Sequence, residues 1–258
     1  MLKEIRKNLK WKLKWKKYNF IRKYIGTNHS PKVVTDEIDD ILVLAPHPDD
    51  GVIGCGGTMA KYINLNQDLN LKVIYITDGR KAGEADSVER LITKRKSEAE
   101  AALNSLGVND FEFFDIKDGK VYKNIIEIKR RLESILPNYK HIFTPFIEDG
   151  HKDHQFTTLA LYQVLQGLKI ENIKIWNYEV WSPTIPNSLI DITDSIEQKK
   201  RAISFHESQL ELVDYVEKIV GLNAYRSIKL DKEVKFCEGF LKLDKEAFIN
   251  VVEESSFS

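Results

Sequence analysis

The chain has 258 residues, 42% of them hydrophobic and 30% charged, with 39 Lys/Arg balanced by 39 Asp/Glu. That size supports one well-buried core with decoration, and the absence of any run of roughly 18 apolar residues excludes a transmembrane helix. Two cysteines, Cys55 and Cys237, are too few for a disulfide framework and form no CxxC pair, so a reducing cytoplasm is the simplest setting. The charge is unevenly spread: residues 1–25 hold ten Lys/Arg and one acid, which leaves the rest of the chain acidic by nine. No uninterrupted apolar stretch or small-residue cleavage site follows this basic start, so it does not read as a signal peptide.

Residues 1–35 read as a basic extension and linker, with Asn28, Ser30 and Pro31 as breakers, and residues 36–258 as one domain. Ile41 to Ala45 is a short continuous apolar run, which suits a strand buried on both faces. Thr58 to Asn66 reads as a helix, and Leu71 to Thr77 as a β-branched second strand closed by Asp78-Gly79. A long helix is expected from Val88 to Leu106, with Gly107 as its C-cap. Phe111 to Asp115 is a weaker third strand, and Asn124 to Leu136 repeats apolar residues at helical spacing until Pro137. His141 to Thr144 is the fourth strand, His154 to Leu168 a helix, and Ile173 to Tyr178 the fifth strand. Beyond Asp191 the pattern is less regular, with helices near Ser195 to His206 and Leu210 to Val220. Strands alternating with helices of this length predict an α/β fold: an open, mostly parallel, Rossmann-like sheet with helices on both faces.

In such a sheet, ligands bind beyond the carboxyl ends of the strands. The first strand runs directly into His47-Pro48-Asp49-Asp50 and then a glycine-rich segment, Gly51 to Gly57. The three-residue spacing of His47 and Asp50 across a turn entering a helix aims both at one site, and imidazole with carboxylate suits Zn²⁺. A catalytic zinc usually takes a third protein ligand, and the loop after the fourth strand offers Asp149, His151, Asp153 and His154. Alone, His-Pro-Asp-Asp reads equally as a helix-capping turn; two histidine clusters, each after the correct strand, favour a metal site.

His47-Pro48-Asp49-Asp50 followed by Gly54-x-Gly56-Gly57, with His151-x-Asp153-His154 downstream, resembles the LmbE-like, or PIG-L, family of zinc-dependent N-acetylglucosaminyl deacetylases. Thr77-x-Gly79, Arg95-x-x-Glu98, Lys199-x-x-Ala202-x-x-x-His206-x-Ser208-Gln209 and Glu238-x-Phe240 extend the resemblance over nearly everything after residue 40. It implies His47, Asp50 and His154 as ligands of Zn²⁺ or another divalent transition metal, and Asp49 as the general base acting on an N-acetylated amino sugar. His151 is then placed to stabilise the oxyanion, best as imidazolium, with Asp153 holding that ring charged and oriented. Arg95 and Asp118 match family positions that contact the sugar; His206 reads as structural and Cys55 as a packing residue. The family most often has Glu or Ala where this chain has Gly51, which bears on local geometry and not on any ligand carried over.

Gly54-x-Gly56 after a strand also suggests a dinucleotide-binding turn, but the third glycine is replaced by Met59 and two aspartates would face the pyrophosphate. A non-catalytic surface-binding protein on a deacetylase-like scaffold is the other alternative, with Gly51 as its only support. Residues 1–25 interleave lysines with Leu9, Trp11, Leu13, Trp15, Tyr18 and Phe20, a composition suited to an anionic membrane surface. The expectation is peripheral attachment at the inner face of the membrane and a lipid-linked or surface-glycan substrate. Nucleic acid is not expected as a partner, because the acidic body opposes phosphate contacts.

Overall fold

The computed structural model describes residues 30–81 and 87–255. The basic segment expected to meet a membrane, residues 1–25, lies outside the described residues. Strand β1 (Lys32–Val33) is followed by β2 (Ile41–Ala45), helix α1 (Asp50–Leu65), β3 (Leu71–Thr77), α2 (Val88–Ser105) and β4 (Asp110–Ile116). Then come α3 (Ile125–Ile135), β5 (His141–Pro145), α4 (Lys152–Gly167), β6 (Lys174–Tyr178) and β7 (Ser188–Asp191). The described chain closes with α5 (Ile196–Ser204), α6 (Glu207–Leu210), α7 (Tyr215–Arg226), β8 (Cys237–Asp244) and α8 (Lys245–Glu253).

The strands form one sheet in the order β1-β7-β8-β6-β5-β2-β3-β4. β8 runs antiparallel to β6 and β7, and the other pairings are parallel. The strand period of two divides the core into two layers. Val43, Val73, Tyr75, Phe143 and Trp176 face α1, α2 and α5 through Val52, Met59, Leu103 and Ala202. Leu42, Leu44, Ile74, Ile142 and Ile175 face α3, α4 and α8 through Ile128, Leu132, Leu161, Val164 and Phe248. Four of the five strands read from the sequence, β2, β3, β5 and β6, are thus central strands buried on both faces, whereas the weaker one, Phe111 to Asp115, is the half-buried edge strand β4.

Besides the unexpected β7 and α8 and the shift of the Leu210 to Val220 helix to Tyr215–Arg226, three elements differ from the sequence expectation. Lys32 and Val33, read as linker, pair with Ser188 and Leu189 at the sheet edge. The irregular region after Asp191 returns as β8, which inserts between β6 and β7. Most consequential, α1 begins at Asp50, eight residues before the expected Thr58, so the glycine-rich segment is helical. The glycines serve close packing. A β-carbon at Gly54 would collide with one edge of the Tyr178 ring, and one at Gly57 would lie 2.7 Å from Ile192 Cδ1. The Tyr178 ring cannot swing away, being buried with its hydroxyl donating to the Leu44 carbonyl at 2.8 Å.

Between these glycines, Glu238 accepts the N–H of Gly57 at 2.9 Å and of Thr58 at 2.8 Å, and the Lys199 ammonium lies 2.5 Å from Glu238 Oε1. Both side chains are buried, and such a pair is tolerable only when fully hydrogen-bonded, as Glu238 is here. Gly51 differs, since a β-carbon there would meet Ala45 at 3.4 Å and Val43 at 3.5 Å, ordinary contact distances. Gly51→Ala is therefore expected to leave stability unchanged or raise it by up to about 1 kcal/mol. Gly54→Ala should cost roughly 1–3 kcal/mol through overpacking. Urea denaturation midpoints of the two variants check the contrast.

Candidate metal centre and active site

The site is assembled from loops at the carboxyl edge of five adjacent strands. β2 leads to His47, Asp49 and Asp50; β3 to Asp78 and Gly79; β4 to Asp118; β5 to Asp149, His151, Asp153 and His154; and β6 to Trp181. β2 lies between β3 and β5, where the crossover direction reverses, so the two histidine clusters meet as the sequence implied.

Three atoms converge. Asp50 Oδ2 is 3.0 Å from His47 Nδ1 and 3.1 Å from His154 Nε2, and the two nitrogens are 3.3 Å apart. All three residues are buried. Ligand atoms bound tetrahedrally to zinc at about 2.0–2.1 Å stand about 3.3 Å from one another, so this triangle fits one face of such a shell, with a fourth position left open. Two imidazole nitrogens and a carboxylate oxygen are also the donor set expected for a divalent transition metal.

The surrounding groups fix both rings. Asp149, fully buried, places Oδ1 3.0 Å from His154 Nδ1, which holds the proton there and leaves Nε2 as the free donor atom. On the far side of the His47 ring, Asp153 Oδ2 and Asp118 Oδ1 lie 3.5 and 3.6 Å from Nε2, leaving Nδ1 turned toward Asp50. Burial opposes a charge on His47, but Asp50, Asp118 and Asp153 override it and hold its pKa well above the usual value. Burial likewise opposes charge on His154, yet Asp50 and then Asp149 raise it to about 9. Burial would raise the Asp50 carboxyl, but His154 and His47 bring it well below the usual range. The site attracts positive charge.

Asp49, between the two ligand candidates, points elsewhere as expected. Its Oδ1 accepts from Arg95 Nη2 at 2.9 Å, and Arg95 Nη1 donates to the Gly79 carbonyl at 2.7 Å. Gly79 adopts φ +65°, which a side chain would rarely follow, and a β-carbon there would collide with Arg95 and Pro48. Arg95, expected to contact sugar, lines the pocket wall, but its terminal nitrogens are engaged by Asp49 and Gly79. Asp118 also lines the pocket, with Oδ2 accepting the Lys81 N–H at 3.2 Å.

The expected pairing of Asp153 with His151 requires correction. The Asp153 carboxylate turns to Gly119 N–H, at 2.5 Å, and to His47, while its backbone N–H donates to His151 Nδ1 at 3.2 Å. A ring nitrogen that accepts an N–H carries no proton, so His151 is neutral with its proton on Nε2. Partial burial first, then the neighbouring His47 and His154, lower its pKa, which also argues against the imidazolium. His151 lines the same pocket as Asp49 and Asp50.

Sequence reasoning missed several contributors. Asp149 was visible only as one acid among several in its loop; its contact with His154 needs the loop's conformation. Trp181 and Tyr215 line the pocket from elements that carried no chemical pattern, and Gln209, quoted in a motif but given no role, lines it as well. Glu98 accepts the backbone N–H of Ser208 at 2.9 Å and its hydroxyl at 2.6 Å, so the motif carrying Arg95 also anchors the short helix α6 that carries Gln209. His206 is buried with no partner for either ring nitrogen among the described residues, and burial pushes its pKa down to about 4, which fits a neutral structural residue. Cys55 is buried in α1, and desolvation drives its thiol pKa well up, removing it as a nucleophile.

Residues 42–165 match the family described as PIG-L: GlcNAc-PI de-N-acetylase. The diacetylchitobiose deacetylase of Thermococcus kodakarensis is 28% identical over 199 residues, covering 67% of this chain and 71% of that protein. The probable N-acetyl-alpha-D-glucosaminyl L-malate deacetylase 2 of Bacillus cereus is 26% identical over 191 residues, covering 66% and 84%. The crystal structure of N,N'-diacetylchitobiose deacetylase from Pyrococcus horikoshii, complexed with its inhibitor MPG, superposes with a TM-score of 0.69 at 25% identity, covering 81% of this chain and 85% of that one. The chain shares the fold of this deacetylase, and its residues 42–165, just under half of it, match the PIG-L, or LmbE-like, deacetylase family.

Proposed function

We propose that the protein is a metal-dependent hydrolase that removes the acetyl group from an N-acetylglucosamine-type amino sugar. The observation that carries this reading is the triangle of His47 Nδ1, Asp50 Oδ2 and His154 Nε2, with Asp49 in the same pocket and, among the described residues, no hydrogen bond to its Oδ2. The relatives named above, deacetylases of diacetylchitobiose and of an N-acetylglucosaminyl malate, supply the substrate class.

His47, Asp50 and His154 would hold the ion, zinc by its donor preference. When bound, it supplies Lewis acidity toward the acetamide carbonyl and a water of lowered pKa. Asp49 takes the proton of the attacking water on Oδ2, because Arg95 occupies Oδ1. The same carboxyl then delivers that proton to the leaving amine nitrogen as the C–N bond breaks, releasing acetate and the free amino sugar. His151 donates its Nε2 proton to the oxygen that gains charge as the carbonyl carbon becomes tetrahedral. Arg95 positions Asp49, Asp153 positions His47, and Asp118 offers its carboxylate to a sugar hydroxyl.

Residues 1–25 suit peripheral attachment to an anionic cytoplasmic leaflet, where each nearby Lys or Arg contributes about 1 kcal/mol. A lipid-linked amino sugar or a surface-glycan precursor would match that placement. No described helix is long and apolar enough to cross a membrane.

His154→Ala should lose both metal and acetate release from N,N'-diacetylchitobiose. Asp49→Asn should keep the metal and lose about 10² to 10⁴ in kcat. Elemental analysis beside an acetate assay reads both, and zinc retained in full by His154→Ala would sink the ligand assignment.

Metal affinity should rise with pH. The carboxylates favour protonated imidazoles, and His154 must give up a proton held with a pKa of about 9, so protons compete increasingly as pH falls from 9 to 6. Asp149→Asn should weaken affinity by about 10- to 100-fold at fixed pH, because the ring loses its anionic support. Chelator competition across that range measures both effects.

Deleting residues 1–25 should abolish salt-sensitive binding to anionic liposomes and spare turnover of a small water-soluble substrate. A co-sedimentation assay in which the full-length protein ignores such liposomes at low salt would refute the membrane assignment.

A further inference from the structure

The pocket lining combines two chemistries, the charged or ionisable His47, Asp49, Arg95 and Asp118 and the aromatic Trp181 and Tyr215. The two aromatic rings meet edge to face, with centroids 6.3 Å apart and planes at 78°. Trp181 is 55% exposed, which leaves much of its large apolar surface in water.

That exposure is held by a built framework. Asp149 Oδ2 accepts the backbone N–H of Trp181 at 3.0 Å and of Ser182 at 3.2 Å, while Oδ1 of the same carboxylate supports His154. From the other side, Arg226 at the end of α7 pairs with Glu179 and donates to the Thr184 carbonyl at 2.9 Å, and Glu179 accepts the Thr184 N–H at 2.7 Å. Tyr215 starts that same helix, whose first turn is capped by Asp214 accepting the Glu217 N–H at 3.0 Å. Buried carboxylates thus fix the main chain that presents the indole to a charged pocket and tie that main chain to a proposed metal ligand.

We infer that Trp181 and Tyr215 form a subsite for a second sugar ring, the one joined to the amino sugar whose acetamide occupies the charged end. A pyranose ring carries an apolar C–H face bordered by hydroxyls, which matches an indole that is apolar across its face and polar at its edge. The charged side chains cannot offer that surface. This inference rests on the deacetylase reading above and adds to it a reason to prefer disaccharides over a single N-acetylated sugar.

The test compares the full-length, metal-loaded protein with Trp181→Ala and Trp181→Phe. It reads kcat/KM for N,N'-diacetylchitobiose divided by kcat/KM for N-acetylglucosamine. Trp181→Ala should lower this ratio about tenfold, equivalent to about 1.4 kcal/mol, through the KM of the disaccharide. Trp181→Phe should restore most of it. A ratio within about twofold of the wild type in Trp181→Ala overturns the subsite. Intrinsic fluorescence titration with N,N'-diacetylchitobiose separates this from the chemistry. Saturable quenching lost in Trp181→Ala supports the subsite even if neither sugar is deacetylated, an outcome that would refute the deacetylase reading alone. Absence of any disaccharide binding to the wild type overturns the subsite.

Discussion

Helix α1 lies so close to the sheet that neither Gly54 nor Gly57 has room for a β-carbon, and the position of the site depends on that approach. The helix begins at Asp50, so its distance from the carboxyl end of β2 sets where the Asp50 carboxylate stands relative to His47. The cost of glycine within a helix, about 1 kcal/mol each relative to alanine, is accepted in return for this fit. Glu238 and Lys199 complete the clamp from β8 and α5. Leaving either charge buried without its partner would be strongly unfavourable, which ties the sheet's reversed strand to the helix that opens the active site.

Around the two imidazoles stand Asp50, Asp118, Asp149 and Asp153, all buried, each directed at a ring nitrogen. Such a concentration of carboxylates is costly without a compensating cation. Protons on His47 and His154 provide it in part, as their raised pKa values record. A divalent ion would provide it more completely while leaving the rings neutral. Asp49 stands apart from this cluster, its carboxylate paired instead with the Arg95 guanidinium at 2.9 Å.

The central strands were legible because parallel strands buried on both faces appear as unbroken apolar runs, as in Ile41 to Ala45 and Leu71 to Thr77. The crossing order then brought His47 and His154 together without further information. Elsewhere the local signal misled. Glycines between Gly51 and Gly57 resemble a turn when read along the chain, but their reason lies across space, in Tyr178 and Ile192. β8 carries Glu238 and Gly239 inside its span, and only Lys199 and the α1 amides explain a buried acid there. The motif residues Arg95, Glu98, Ser208 and Glu238 proved to be connections between elements, each meaningless until its partner is known. His151 was placed in the right pocket but given the wrong charge, because the Asp153 N–H that sets its tautomer belongs to the backbone.

Asp149 grips the loop after β6 by two main-chain amides and touches none of its side chains among these contacts. Any residue other than proline supplies the same N–H. The anchoring of His154 is therefore indifferent to which side chains the loop presents, and substitutions at positions 181 and 182 can accumulate without loosening it. Substrate range and catalytic machinery can then diverge at separate rates within one fold: the acid that holds the reactive centre still also leaves the neighbouring recognition surface open to drift, and a loop transplanted between relatives should need to reproduce only its backbone path.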